Sequence, residues 1–328
     1  MEQERRSIRI GLVMIAWALV LRLAGGAADM AVALFSHPRV AEFLIYVETG
    51  RPVRLDAPVP AETTQPTQPS TQETTQPPKD LVSFTPQDAD LVKISNFTRY
   101  DPNVEKLLTD PLSWDLTEDG PGVLILHTHA TESYTGTDGY RTEDPSCNML
   151  RVGMEIARVL EENGIGVIHD TTLHDKPSYN GSYNNARKTI EARLREYPSI
   201  RLVVDVHRDA LELSDSTQLS THAQVDGQDS SQLMLVIGTN AGGLYHPVWQ
   251  ENLSFGVKLQ ALLEREHPGI CRPIQLRTER FNQDLSTAMI LEVGAAGDTL
   301  EEALVAARAF ARSVVALSRG TATADSTS

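Results

Sequence analysis

Two short segments of the chain carry side chains that commonly bind metal ions, and each follows directly after an apolar run. The first segment has His127, His129 and Glu132 after the run 123–126, and the second has His207 at the end of an apolar run. Imidazole and carboxylate groups are typical zinc ligands, and a catalytic zinc takes three of them and leaves one position for water. We therefore interpret His129, Glu132 and His207 as the zinc ligands of a hydrolytic enzyme.

Both ligand positions on the first segment have a rival. His127 lies two residues before His129, and only one of the two is expected to point at a metal while the other packs beside it. Glu143, which precedes the first long helical pattern, is an alternative carboxylate to Glu132. We favour His129 and Glu132, and the two alternatives stay open.

Glu292 is the predicted catalytic residue. It interrupts the apolar run 288–293, so that a strand would carry its carboxylate into the interior. A buried carboxylate costs several kcal/mol unless it is paired or used, and a zinc hydrolase needs a general acid and base beside its metal. A structural ion pair with Arg208 or Arg280 is the alternative reading of Glu292.

Neighbouring residues are expected to support the site. Asp205 and Asp209 flank His207 and offer carboxylates that would orient its ring. Arg208 and Asn282 are the predicted substrate-binding residues, because a guanidinium group and a side-chain amide can hold carboxylates and peptide carbonyls.

The elements that must position these residues alternate between strands and helices. Apolar runs predict strands at 123–126, 165–168, 202–206, 232–238 and 288–293, and periodic patterns predict helices at 148–162, 183–197, 247–266 and 299–317. A polar stretch at 217–229 is compatible with a hairpin. The order predicts an α/β fold, a single three-layer domain with a mostly parallel central sheet flanked by helices. In such sheets the site lies beyond the carboxyl ends of the strands.

The N-terminal part of the chain differs from the rest in composition. A basic flank at 1–9 precedes a largely apolar stretch at 10–35, which predicts a transmembrane anchor, with a cleaved signal peptide as the alternative. Residues 36–80, rich in Pro, Thr and Gln, read as a disordered linker. Both interpretations of the N-terminus predict that the following residues are exported.

The remaining chain divides into three predicted parts. A lead-in segment at 81–120 is followed by a catalytic domain at 121–318 and a disordered tail at 319–328. With 29 basic and 44 acidic residues, the chain has a formal net charge of −15. Nucleic acid is therefore excluded as an expected partner, because phosphate binding depends on cationic surfaces.

Several motifs together resemble those of the stage II sporulation protein P family. They are Leu126-His-Thr-His-Ala-Thr-Glu-Ser-Tyr134, Asn148-Met-Leu-Arg-Val-Gly153, Gly164-Ile-Gly-Val-Ile-His-Asp170, Tyr179-Asn180 with Tyr183, Asp205-Val-His-Arg-Asp-Ala210, Phe281-Asn-Gln-Asp-Leu-Ser286 and Leu291-Glu-Val-Gly294. The resemblance extends over most of residues 120–318. A membrane anchor followed by a spacer is also similar to that family.

The resemblance implies a fold like that of the N-acetylmuramoyl-L-alanine amidases and a zinc-dependent peptidoglycan hydrolase. Such a protein cuts the bond between N-acetylmuramic acid and L-alanine and acts as an endopeptidase on stem peptides during engulfment in sporulation. The implied partners are peptidoglycan and the stage II sporulation proteins D and M, and the implied location is the cell membrane. By position, His129 and His207 resemble the histidine ligands and Glu292 the catalytic glutamate. In the amidases the carboxylate ligand comes before the first helix, as Glu143 does here, whereas Glu132 lies within a motif that carries the resemblance.

Two other functions are alternatives to a zinc-dependent peptidoglycan hydrolase. A zinc carboxypeptidase or peptidase acting on exported peptides would use the same ligand set but release terminal amino acids. A non-catalytic wall-binding scaffold would keep the fold without needing His129, His207 and Glu292.

Overall fold

The computed structural model describes residues 81–112, 114–211 and 217–321. All of these residues belong to one compact unit, Gln76–Ser328. The predicted basic flank, transmembrane anchor and linker lie outside the described residues, as does the predicted tail from 322 onward. No helix in the described ranges combines the length and the apolarity needed to cross a membrane.

A seven-stranded sheet forms the centre of the described unit, with strand order β1-β8-β7-β9-β4-β2-β3. Its strands are β1 Ile94–Asn96, β2 Val123–Leu126, β3 Val167–His169, β4 Leu202–Asp209, β7 Leu233–Gly238, β8 Ile274–Arg277 and β9 Thr287–Ala295. A separate antiparallel hairpin of β5 Ala223–Val225 and β6 Gln228–Ser230 lies within the polar stretch where the sequence allowed one.

The sheet consists of two parallel blocks. Strands β9, β4, β2 and β3 run parallel to one another, and so do β7, β8 and β1. Where the blocks meet, β7 runs antiparallel to β9. The prediction of an α/β fold with a mostly parallel sheet is confirmed, with this reversal as a difference. The carboxyl ends of the two blocks consequently lie at opposite edges of the sheet.

Helices cover both faces of the sheet. They are α1 Val104–Thr109, α2 Met149–Glu162, α3 Ser182–Glu196, α4 Trp249–Glu266 and α5 Leu300–Ala316, with short 3₁₀ helices at Pro86–Leu91 and Asp138–Tyr140. Alternate side chains of a strand point to opposite faces, and β2 illustrates the result. Val123 and Ile125 enter the main core with α2, α4 and α5, whereas Leu124 and Leu126 pack against α3.

Helix starts follow from capping side chains that the sequence displays. The Asn148 side chain accepts a hydrogen bond from the Leu150 backbone nitrogen at the start of α2. Thr299 and Glu302 form a reciprocal capping box at the start of α5. Such caps satisfy backbone donors that a helix leaves unpaired, and each contributes about 1 kcal/mol.

The lead-in segment is an integral part of the folded unit. It supplies β1, which pairs with β8 at the edge of the sheet, and α1, which packs on α4. Phe84 is fully buried in the main core. Trp114 packs edge to face on Phe255, with 4.7 Å between the ring centroids. The sequence predicted neither β1 nor α1, because both are short and β1 has a single apolar side chain.

Candidate active site

The turn after β2 brings the first predicted segment to the end of β4. The two strands are parallel neighbours, with Leu126 opposite Asp205. The Asp205 carboxylate accepts hydrogen bonds from the Thr128 backbone nitrogen and hydroxyl at 2.7 and 2.6 Å. The Glu132 nitrogen then donates to the His129 carbonyl at 3.1 Å, which closes a turn. Residues 127–132 are therefore fixed to β4 through one carboxylate.

His129 and His127 point to different surroundings. The His129 ring lies 5.3 Å from the His207 ring between centroids and is nearly perpendicular to it. Its Nδ1 is buried and has no hydrogen-bond partner within the described part of the chain. His127 turns its Nδ1 to the Val206 carbonyl and its Nε2 to His169, each at 3.0 Å. Both nitrogens of His127 are thus engaged within the protein, and His129 is the one that shares a space with His207.

Glu132 and Glu143 also lie in different surroundings. The Glu132 carboxylate is buried, with Oε2 3.7 Å from His207 Nδ1. The Glu143 side chain is 62% exposed and pairs with Lys176 at 2.7 Å. The structure therefore brings Glu132 to the histidine pair, whereas Glu143 lies at the surface in an ion pair.

Asp205 lies on the other side of the His207 ring, as the sequence predicted. Its Oδ1 is 2.9 Å from His207 Nε2, although the contact lacks the alignment of a hydrogen bond. Burial lowers the pKa of His207, but Asp205 and Glu132 outweigh it and raise the pKa to about 9. Asp209, the second predicted partner, instead pairs with Arg272 at 2.7 Å. The His207 ring thus lies between Asp205 and Glu132.

Glu292 lies on β9, directly opposite His207 on β4. Its Oε2 is buried and has no hydrogen-bond partner among the described residues, and no ion pair joins it to Arg208 or Arg280. Burial, reinforced by the nearby Asp209 carboxylate, raises the pKa of Glu292 to about 8. A carboxyl group with a pKa in this range can both take and give a proton near neutral pH.

The two predicted substrate-binding residues have internal partners. The Arg208 side chain donates to the backbone carbonyls of Ser133, Tyr140 and Asp209, and the residue is buried. The Asn282 amide donates to the Tyr183 carbonyl at 2.8 Å. In this structure both side chains hold loops of the protein, and their binding of substrate stays a prediction.

Arg141 and Tyr179 belong to the site but were not assigned to it by sequence. The Tyr179 ring stacks on the His129 ring, with centroids 4.2 Å apart and planes 6° apart. The Arg141 guanidinium carbon lies 4.8 Å from the Tyr179 centroid, and its nitrogens reach Glu132 at 3.3 Å and Asp175 at 3.4 Å. No local sequence pattern reveals these contacts, since they join residues on separate loops.

The chemistry of the gathered side chains fits a zinc ion. Two donors that are each about 2 Å from a tetrahedral zinc lie about 3.3 Å apart, close to the 3.7 Å between His207 Nδ1 and Glu132 Oε2. The unpartnered His129 Nδ1 is a third donor of the right type. Within the part of the chain that the structure describes, no group of three or more such side chains is already arranged to hold a metal ion. Binding would therefore require these donors to converge.

The chain matches the family model described as Stage II sporulation protein P over residues 45–315. Because this match covers most of the chain, the protein belongs to the stage II sporulation protein P family. The resemblance predicted from the sequence motifs is confirmed. No curated protein sequence matches the chain.

Solved structures with a similar fold include several bacterial N-acetylmuramoyl-L-alanine amidases. The enzyme AmiC2 of Nostoc punctiforme is 14% identical with a TM-score of 0.37, the match covering 60% of this chain and 97% of that one. An amidase of Clostridium difficile 630 is 13% identical with a TM-score of 0.39, covering 61% and 97%. The CwlD amidase of Clostridioides difficile, solved with the GerS lipoprotein, is 16% identical with a TM-score of 0.35, covering 59% and 95%.

Proposed function

We propose that this protein is a membrane-anchored, zinc-dependent peptidoglycan hydrolase that acts on the septal cell wall during sporulation. The proposed reactions are those of an N-acetylmuramoyl-L-alanine amidase and of an endopeptidase on stem peptides. The observation that carries the proposal is the proximity of His129, Glu132 and His207 to one another, beside a glutamate, Glu292, whose buried Oε2 has no hydrogen-bond partner among the described residues. Membership of the stage II sporulation protein P family supports the proposed role in sporulation.

His129, Glu132 and His207 would hold the zinc ion. When bound, zinc supplies Lewis-acid activation of water and of the scissile carbonyl group. Asp205 fixes the His207 ring from the Nε2 side, 2.9 Å away, so that Nδ1 faces Glu132. Carboxylates that orient ligand histidines in this way keep the ring in one rotamer and one tautomer.

Glu292 would transfer the proton. As a carboxylate it takes a proton from the attacking water, and as a carboxylic acid it returns that proton to the leaving amide nitrogen when the carbon–nitrogen bond breaks. Its raised pKa suits both halves of this cycle near neutral pH. Since its Oε2 makes no hydrogen bond to the described residues, it is free to bond to water and substrate.

The remaining parts of the proposal concern placement in the cell. The apolar stretch 10–35 would anchor the chain in the membrane, and the Pro, Thr and Gln-rich residues 36–80 would let the catalytic unit reach the wall. Stage II sporulation proteins D and M are the proposed partners, as the family resemblance implies. These assignments rest on the sequence.

The test is digestion of purified peptidoglycan by the purified full chain. We expect release of soluble wall fragments with new amino groups and free muramoyl ends, loss of this release with EDTA, and its recovery with added zinc. Full release in the presence of EDTA would contradict a metal-dependent hydrolase. Release of terminal amino acids without free muramoyl ends would instead indicate a carboxypeptidase.

A further inference from the structure

Arg141 presents a partly accessible guanidinium group beside the candidate active site. Its side chain is 38% exposed, and its nitrogens contact Glu132, Thr131 and Asp175 at 3.3–3.4 Å. Arg141 pairs with Glu132 by an isolated β-bridge as well, which fixes its backbone to the turn that carries the site. The Arg141 guanidinium group is therefore held beside the site by both its backbone and its side-chain contacts.

The other nearby arginines are committed to internal contacts. Arg208 gives its donors to three backbone carbonyls. Arg187 and Arg280 both pair with Asp284, at 2.8 and 3.2 Å. Arg141 is thus the arginine of this group best able to accept an outside partner.

The ion pairs of Arg141 are long and partly solvated. Glu132 and Asp175 are buried, so these pairs are costly to break, but their contacts involve only Nη1 and Nη2 of Arg141. A guanidinium group has five N–H donors, so Arg141 keeps donors for an outside carboxylate while these pairs stay in place. Asp175 has stronger partners of its own, because its Oδ2 accepts the Thr131 hydroxyl at 2.6 Å. The planar guanidinium group is suited to bidentate binding of a carboxylate.

The Tyr179 ring fixes the position of Arg141 relative to the reacting groups. This ring contacts Arg141 and also stacks on His129. The guanidinium group therefore lies one aromatic ring away from a proposed ligand of the zinc ion. The Tyr179 centroid lies 4.2 Å from that of His129 and 4.8 Å from the Arg141 guanidinium carbon. Two residues of extended peptide span about 7 Å, which lies within the reach set by these two distances, so the carboxylate on the second residue of a bound stem peptide can meet Arg141.

We propose that Arg141 binds the free α-carboxylate on the second residue of the stem peptide and so makes the enzyme select stem peptides by that charge. The inference rests on the proposed function and specifies the substrate of the same site. It assigns to Arg141 the recognition role that the sequence had given to Arg208 and Asn282.

The test is calorimetric binding to the full chain carrying Glu292→Gln, which prevents turnover. Both probes are N-acetylmuramoyl-L-alanyl-D-glutamate with the glutamate γ-carboxyl group blocked as an amide. The first keeps the α-carboxylate free, and in the second the α-carboxylate is also converted to the amide. We expect the free carboxylate to bind at least about tenfold more tightly, as one charge-assisted bidentate contact would provide. Arg141→Gln should reduce this preference to less than about twofold, and Arg141→Lys should keep part of it because it retains the charge.

Arg158→Gln is the matched control, since it removes a half-exposed arginine of α2 that pairs with Glu155 and Glu162. It should leave the tenfold preference intact. Equal binding of the two probes, or an unchanged preference in Arg141→Gln, would overturn the inference. If the unmodified chain still digested the wall, the proposed function would nevertheless stand. If the chain neither bound the probes nor digested the wall, both the role of Arg141 and the proposed function would be wrong.

Discussion

His207 and Glu292 face each other across the neighbouring parallel strands β4 and β9, and the strand register shifts immediately afterwards, between His207 and Asp209. A register shift of this kind twists a strand and redirects the side chains next to it. The pairing therefore places a proposed ligand and the proposed proton carrier side by side on two interior strands of the sheet. A site built on paired strands holds its geometry better than one built on loops.

Glu292→Gln should abolish catalysis without unfolding the protein. Loss of a general acid and base costs about 10²–10⁴-fold in rate, and an uncharged amide of the same size relieves the burial of a carboxyl group that has one unpartnered oxygen. We expect wall digestion to fall by at least about 100-fold with an unchanged or higher Tm. Glu279→Gln, at an exposed position, is the control. Retention of more than a tenth of the activity would rule out this role for Glu292.

Glu132→Gln and Glu143→Gln should differ in zinc binding. Removing a direct ligand should weaken zinc affinity at least about 100-fold, since even supporting residues cost 10–100-fold. Glu143 is a surface residue paired with Lys176, so its replacement should leave the affinity unchanged. Competition titration with a chelator measures both variants. The opposite outcome, with Glu143→Gln losing zinc, would favour the alternative ligand that the amidase resemblance implied.

Glu155 should make the stability of the protein sensitive to acid. Burial raises its pKa, but hydrogen bonds from Arg158, Arg151 and Arg308 outweigh burial and lower the pKa from 4.5 to about 2. A carboxylate with a lowered pKa in the folded state stabilises the fold above pH 4.5, and this contribution disappears as the pH falls toward 2. Glu155→Gln should lower the free energy of unfolding by about 1–3 kcal/mol at pH 7, and by much less near pH 2, the folded-state pKa.

Urea denaturation at several pH values measures this difference. The control is Glu162→Gln, which removes an exposed partner of Arg158 and should change stability by less than about 0.5 kcal/mol. A Glu155→Gln variant with the same acid sensitivity as the unmodified chain would show that the three arginines do not stabilise the carboxylate.

Two helical glycines should respond in opposite ways to alanine. An added Cβ at Gly153 would lie 2.5 Å from His127 Nε2 and 2.7 Å from His169 Nε2, whereas at Gly256 the nearest atom is Ile237 Cδ1 at 3.5 Å. Gly153→Ala should destabilise the protein by about 1–3 kcal/mol through overpacking. Gly256→Ala should stabilise it by up to about 1 kcal/mol, because alanine favours the helix. Thermal unfolding compares them, and a stabilised Gly153→Ala would show that the histidine pair can move.

The sequence predicted the elements whose patterns are long or wholly apolar. Helices α2 and α5 begin at capping residues visible in the sequence, Asn148 and Thr299. Strand β2 has four fully buried residues, a pattern typical of a parallel sheet. Strands β1 (Ile-Ser-Asn) and β8 (Ile-Gln-Leu-Arg) were missed because polar residues interrupt their apolar side chains, so neither has a continuous apolar run. The reversal between β7 and β9 was not predictable, since strand direction is decided by connections and packing across the whole sheet.

The sequence predicted those site residues that have metal-binding side chains and follow or end a predicted strand. His129, Glu132 and His207 come together because parallel strands align their carboxyl ends at one edge of the sheet. Their roles as zinc ligands remain a prediction. The contact of Arg141 with Tyr179 was not predictable, because a cation and an aromatic ring on separate loops leave no spacing pattern in the sequence.

The beginning and the end of the described unit meet. Val82 forms a parallel bridge with Thr321, and Leu112 and Trp114 bond to the same C-terminal residues through Thr321 and Leu317. A pull applied to the chain ahead of residue 82 is therefore received at the same point as one applied behind residue 321. With the membrane anchoring proposed above, such a pull would load the Val82–Thr321 bridge before it reached β2 or β4, the strands that lead to His129 and carry His207.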